Sequence, residues 1–282
     1  MSEHAYSKRQ EYQPIAELDG DAAAFFRIPR SVILDSDSPV ETITAFAYFS
    51  IRSGIDGNAM FSLNHMVEWS GRKPDKHKGM VNDRMLKSIL YLQEKGYVSI
   101  RGNPSHASFS EARFDRNMVS KECNKSRYAV LYVDEVMKLL SSDSVSSSDK
   151  PGSLSFFSYL RMMIPRRWNS LFIEETDVED RRRRYPEAYS SYYGDISKEL
   201  GIPQRSLSRI ADSLKSLGLV YSEAMPRTGI EGGGWITGHT LFCNFYKREG
   251  TNLLAEGEEY YMDEIRRKKD RMRLSRRQGG SS

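Results

Sequence analysis

Apolar positions in this chain fall at helical spacing and then at strand spacing, and the pattern is clearest over residues 194–221. Ile196 and Leu200 stand four apart, which predicts a short helix with one buried face. Gly201 sits where the chain must leave that helix in a left-handed conformation, and Pro203 opens the next. Leu207, Ile210, Ala211, Leu214 and Leu217 then recur at i, i+3, i+4, i+7 and i+10, a stripe that predicts a second helix packed on a core. Gly218 ends it, and Leu219-Val220-Tyr221 reads as a strand. The face opposite the stripe holds Gln204, Arg205, Ser208, Arg209 and Lys215, with no carboxylate before Asp212. A Gly-rich loop, 225–234, carries Arg227 near its tip and leads to the apolar and aromatic run Trp235–Tyr246.

The same order is expected once before. Ser62 caps a short helix that ends at Gly71, and Met80–Lys95 forms a longer one followed by a strand over 97–101. With Gly96 set against Gly218, Met85, Ile89 and Leu92 fall on Leu207, Ala211 and Leu214. Chance similarity rarely repeats with its elements in one order. This copy inserts eight residues between its helices, because Gly71 to Met85 spans fourteen positions and Gly201 to Leu207 only six. Most of the insertion, Arg72 to Lys78, is basic, with Lys73 and Lys76 between its ends. Two readings stand for it: a phosphate-contacting finger beside a reading helix, or a solvated loop. Arg84 and Lys87 add basic candidates on the longer helix.

Around these units the pattern predicts a strand or tether at 25–33 and an apolar helix running to Ile51, opened by Ser38-Pro39-Val40-Glu41 read as a capping box. Further on come a strand at 128–133, a helix at 134–140 and another at 154–164. Residues 141–153 are Ser-rich and read as a linker with nothing to anchor a core. The expected organisation is a flexible arm (1–24), a first domain (25–140), the linker (141–153), a second domain (154–250), and a charged helix with a basic tail (251–282).

Charge changes this picture only locally. The net charge is +4, of which residues 266–277 contribute +7, so the remainder of the chain is slightly acidic. A second basic group contains Arg161, Arg166, Arg167 and the run Arg181, Arg182, Arg183, Arg184. That run reads either as a clamp on a phosphate backbone or as a partner of the acidic stretch 174–180 before it. Two cysteines, no apolar run near the ~20 residues of a membrane span and no leader-like stretch predict a bacterial cytoplasmic or nucleoid protein without membrane contact.

Catalytic chemistry finds little support. No phosphate-binding Gly-Lys-Ser/Thr loop occurs, the five histidines are scattered singly, and no Cys/His spacing suits zinc, so neither enzyme activity nor a cofactor is expected. Tyr189, Tyr192 and Tyr193 read as core packing before a helix.

Residues 194–220 with their Gly-rich loop resemble the winged helix-turn-helix family of bacterial regulators and initiators. The resemblance implies a mainly α fold with small β wings (α+β), as two winged helix-turn-helix domains in tandem. It implies sequence-directed binding of double-stranded DNA, with 204–209 in the major groove. Arg205, Gln204 and Arg209 are the candidates for base edges. Ser206, Ser208, Lys198, Lys215 and Arg227 are those for phosphates or orientation. Two such domains over 25–247, followed by a basic tail, look like the replication initiators of plasmids, phages and mobile elements, which implies origin DNA, host replication proteins and self-association as partners. A transcription regulator and a protein-interaction scaffold are the alternatives.

Overall fold

The computed structural model describes residues 24–164, 188–224, 228–229, 235–236 and 240–244, an α+β arrangement with small antiparallel sheets. Strand β1 (Phe25–Pro29) leads through the one-turn helix α1 (Arg30–Ile33) to α2 (Thr42–Arg52). Then come β2 (Asn58–Phe61), α3 (Leu63–Trp69), α4 (Val81–Glu94), β3 (Val98–Arg101) and β4 (Ser110–Phe114). Helix α5 (Arg116–Lys125) precedes β5 (Tyr128–Tyr132), α6 (Val133–Ser141) and α7 (Lys150–Met163). The second half holds β6 (Ala188–Ser191), α8 (Tyr193–Leu200), α9 (Gln204–Ser216), β7 (Val220–Ala224), a short β8–β9 pair (Thr228–Gly229, Trp235–Ile236) and β10 (Thr240–Asn244).

Both three-stranded sheets are built alike. Their orders are β2-β4-β3 and β6-β10-β7, so in each the last strand lies between the first and the second, and a helix pair fills the connection from first to second. The expected repeat is therefore present in topology as well as in pattern. Met85, Ile89 and Leu92 are buried, as are their counterparts Leu207, Ala211 and Leu214. Ser62 caps α3 by accepting from His65 N–H at 3.2 Å.

Helix α2 is the centre of the first half: Thr42 through Ser50 are buried on every face, the condition of a helix apolar all round. Its start differs from expectation. No side chain caps α2, and Glu41, instead of closing a capping box, turns its carboxylate inward to Arg72. A buried cation outweighs a cap, because an unpaired carboxylate inside costs far more than an uncapped helix end.

The expected linker also differs. Val145 is buried, and α7 begins at Lys150, inside the Ser-rich segment. Helix α7 packs on β5, α2 and α6 of the first half and on α9 of the second, where Ile210 and Ile202 close over Gly152. Lys150 is buried and donates to the carbonyls of Leu140 (2.5 Å) and Gly71 (3.2 Å), joining the ends of α6 and the α3 turn. Burial lowers its pKa. Serine-rich composition gave no warning of this, because one buried valine and one lysine ammonium supply the anchoring.

Gly71 has φ +70°, and a Cβ there would lie 2.1 Å from the Leu140 carbonyl oxygen and 2.4 Å from Lys150 Nζ. At Gly201, with φ +66°, an added Cβ meets nothing within 4 Å. Left-handed backbone alone costs a non-glycine residue roughly 1–3 kcal/mol. Gly71→Ala is therefore expected to lower stability by clearly more than Gly201→Ala in urea unfolding. Equal losses would show that the α3–α6 junction accommodates a methyl group at Gly71.

No helix among the described residues is long and apolar enough to cross a membrane.

Candidate nucleic-acid interface

Helices α8 and α9 meet through a three-residue turn, Gly201-Ile202-Pro203, in which Gly201 takes the left-handed conformation and Pro203, extended, precedes the first turn of α9. The fold of this corner follows from its stripe: Ile196 on α8 and Leu207, Ile210, Ala211 and Leu214 on α9 are all buried. Their burial leaves the other face of α9 to solvent. Gln204, Arg205, Ser208, Arg209, Asp212 and Lys215 are exposed there, and Ser206 is half-buried.

The candidates on this face differ in how free they are. Arg205 makes no ion pair among the described residues, and Gln204 lies over the first turn of α8 near Gly194. Arg209 is held by Asp149, just before α7, at 2.7 Å. Lys215 donates to the Ser222 carbonyl of β7 at 3.0 Å. Lys198 faces Asp195 at 3.4 Å, with both side chains mostly exposed, a pairing of little strength.

The first unit is different at the same positions. On the Gly96–Gly218 register, Gln204, Arg205, Ser208 and Arg209 correspond to Asn82, Asp83, Leu86 and Lys87. Asn82 is buried and its amide donates to Asn64 Oδ1 at 2.8 Å, while its Oδ1 accepts from Asp75 N–H at 2.9 Å. Lys87 pairs with Asp83 one turn away at 3.0 Å. These contacts fix the inserted loop, whose Lys73, Lys76 and Lys78 remain exposed. Arg84 is partly exposed, with its Nε 4.0 Å from Glu41.

Two basic residues of the expected surface lie inside the protein. Arg72 is buried, with its guanidinium 2.6 Å from Glu41 and its Nε donating to Ser70 Oγ at 2.9 Å. It cannot reach a phosphate without unfolding the α3 turn. Arg161 is likewise buried, paired with Glu135 and stacked over Phe157 at 5.0 Å. Arg181, Arg182, Arg183, Arg184, Arg166, Arg167, Arg227, the arm and the C-terminal basic tail lie outside the described residues.

Tyr189 and Tyr193 pack as the spacing suggested. Tyr189 stacks on Phe242 and its hydroxyl lies 2.8 Å from that of Tyr159; Tyr193 meets Phe242 edge-on. Burial pushes the Tyr193 phenol up to about 12 and drives Tyr159 further, the latter aided by its bond to Tyr189. Cys123 and Cys243 are buried thiols. No group of three potential metal ligands occurs among the described residues.

Sequence reasoning missed the ion pairs of Glu41 and Asp149, whose partners lie 31 and 60 residues away and leave no local signal. It also missed a cleft of about 1060 Å³ across the first sheet, lined by Arg52, Arg101 and Arg113 among others. Period-2 exposure in β4 was the available sign. Comparison with protein-family models, curated proteins and solved structures finds no match to this chain.

Proposed function

We propose that this chain is a tandem winged-helix protein that binds double-stranded DNA by sequence, and that it acts as a replication initiator or replication-control protein of a plasmid, phage or other mobile element. Support for the fold is the shared sheet order, with a helix pair between first and second strands in both halves. The observation that carries the DNA reading is the face of α9. Its first turns present Gln204, Arg205, Ser208 and Arg209 to solvent while the opposite stripe is buried. An amide and guanidiniums in the first turns of such a helix match adenine and guanine edges in the major groove.

Base reading belongs to α9 and not to α4, whose equivalent positions hold a buried amide, a carboxylate, a leucine and a lysine paired with that carboxylate. The exposed lysines of the 72–80 loop then contribute phosphate contacts. These add affinity without sequence preference.

Asp149 competes with DNA for Arg209. Asp149→Asn frees that guanidinium and removes a negative charge beside the interface, and is expected to tighten duplex binding two- to fivefold, the scale of one exposed ion pair. Weaker binding in an anisotropy titration would mean that Asp149 positions Arg209 for contact instead of withholding it.

The functional reading is tested by selecting fragments bound by the purified protein from total host DNA, with its plasmids and phages, at about 150 mM salt, where nonspecific binding is weak. Several direct repeats near one origin support an initiator. One inverted repeat at a promoter replaces that role with transcription regulation. An absence of enrichment overturns sequence reading and leaves a protein-interaction scaffold.

A further inference from the structure

The cleft on the first sheet has a chemistry unlike that of α9. Register places its outward side chains in two rows: Asn58, Arg113 and Ser99 across one, and Met60, Glu111 and Arg101 across the next. Arg52, from the last turn of α2, reaches the same cleft, as do Tyr48 and His65. The two carboxylates present are already engaged. Asp56 accepts from the backbone N–H (3.1 Å) and the amide (2.5 Å) of Asn58, and Glu111 lies 3.6 Å from Arg101. Arg52 and Arg113 make no ion pair within 4 Å among the described residues, although the charge of Arg113 helps to hold the Asp56 carboxyl below its usual range, and both exposed guanidiniums line one open cavity.

An aromatic platform adjoins the cleft at His65. Phe109 precedes β4 and is 54% exposed, although a ring of this size gains from burial. It lies against His65 with ring centroids 5.5 Å apart, and His65 itself lines the cleft. The Tyr48 hydroxyl donates to the Met60 carbonyl at 3.1 Å and lies 2.7 Å from His65 Nδ1. With the phenol proton on that carbonyl, Nδ1–H of His65 donates to Tyr48 and Nε2 is the acceptor side of the ring.

We infer that this face is a second nucleic-acid site, which takes nucleotides with exposed bases: a base on the Phe109–His65 platform and phosphates on Arg52 and Arg113. Guanidiniums beside an exposed ring are the combination that holds single strands, since every base has a face to stack. A duplex keeps its bases stacked inside and makes no use of Phe109. The chemistry is shared by a single strand and a free nucleotide, and the test separates them. It does not depend on α9 reading a duplex, which is followed in parallel.

The probes are a fluorescein-labelled oligothymidylate of about 15 nucleotides, unlabelled thymidine monophosphate as competitor, and a labelled duplex, all titrated with the full chain. Arg52→Ala/Arg113→Ala and Phe109→Ala are each expected to weaken oligothymidylate binding tenfold or more. Their thermal midpoints and duplex affinity should stay at the wild-type value, because all three side chains are exposed. Competition by the mononucleotide at micromolar concentration would assign the site to a free nucleotide, and its failure to compete would assign it to a strand. The inference is overturned if the wild-type chain does not bind the oligothymidylate, if the variants bind it unchanged, or if single-strand and duplex binding fall together. It is also overturned if an oligoglutamate peptide displaces the strand while Phe109→Ala has no effect, since that result describes an acidic-peptide groove.

Discussion

Arg72→Ala is expected to lower the stability of the protein by about 3–5 kcal/mol, the cost of breaking a buried ion pair by removing one member, because the Arg84 Nε that remains lies 4.0 Å from Glu41 on a partly exposed side chain. Glu41 is 1% exposed and Arg72 8%, so the truncation leaves a buried carboxylate without its close partner. The loss is a large part of the roughly 5–15 kcal/mol that holds an ordinary domain together. Replacing both partners with apolar residues of similar volume, Glu41→Leu with Arg72→Met, should recover most of it, because the pair itself is close to neutral against a packed apolar contact. Urea unfolding of the single and double variants provides the check. An Arg72→Ala protein with an unchanged midpoint and weakened DNA binding would return Arg72 to the surface role that its sequence position suggests.

Arg205→Ala is expected to cost roughly 1–3 kcal/mol of binding to the cognate duplex and to relax the preference at one base pair, while leaving folding unchanged. The side chain is exposed, lies in the first turn of α9 and has no competing carboxylate among the described residues. Lys76→Ala should behave differently. As a phosphate contact it should weaken all sequences alike and reduce the salt slope by about one. Arg209→Ala should fall short of Arg205→Ala, since Asp149 already offsets part of what Arg209 offers. If scrambled and cognate duplexes lose affinity equally in Arg205→Ala, that side chain touches the backbone and not a base.

What could be read from the sequence was whatever repeats within a few residues. The apolar stripe of α9, the left-handed Gly201, the Ser62 cap and the strand after each second helix all depend on neighbours, and all occur as expected. What could not be read was pairing across distance. Arg72 looked like the start of a basic finger because the next basic residues are solvated, yet its partner comes from the turn before α2. Residues 141–153 looked empty of anchors, yet Val145 is buried and the Lys150 ammonium donates to the carbonyls of Leu140 and Gly71. The cleft was partly legible: Glu111 and Arg113 alternate with buried Ala112 and Phe114, which marks one polar face of a sheet. That Arg52 joins that face from α2 is a tertiary fact.

Entry of α9 into the major groove is tested most directly by dimethyl sulfate protection of guanine N7 on a selected duplex. With the wild-type chain, one or two guanines should be shielded, and Arg205→Ala should lose that shielding at one position while the remaining footprint persists. Shielding that is identical in both proteins, or a footprint confined to the minor groove, would contradict it.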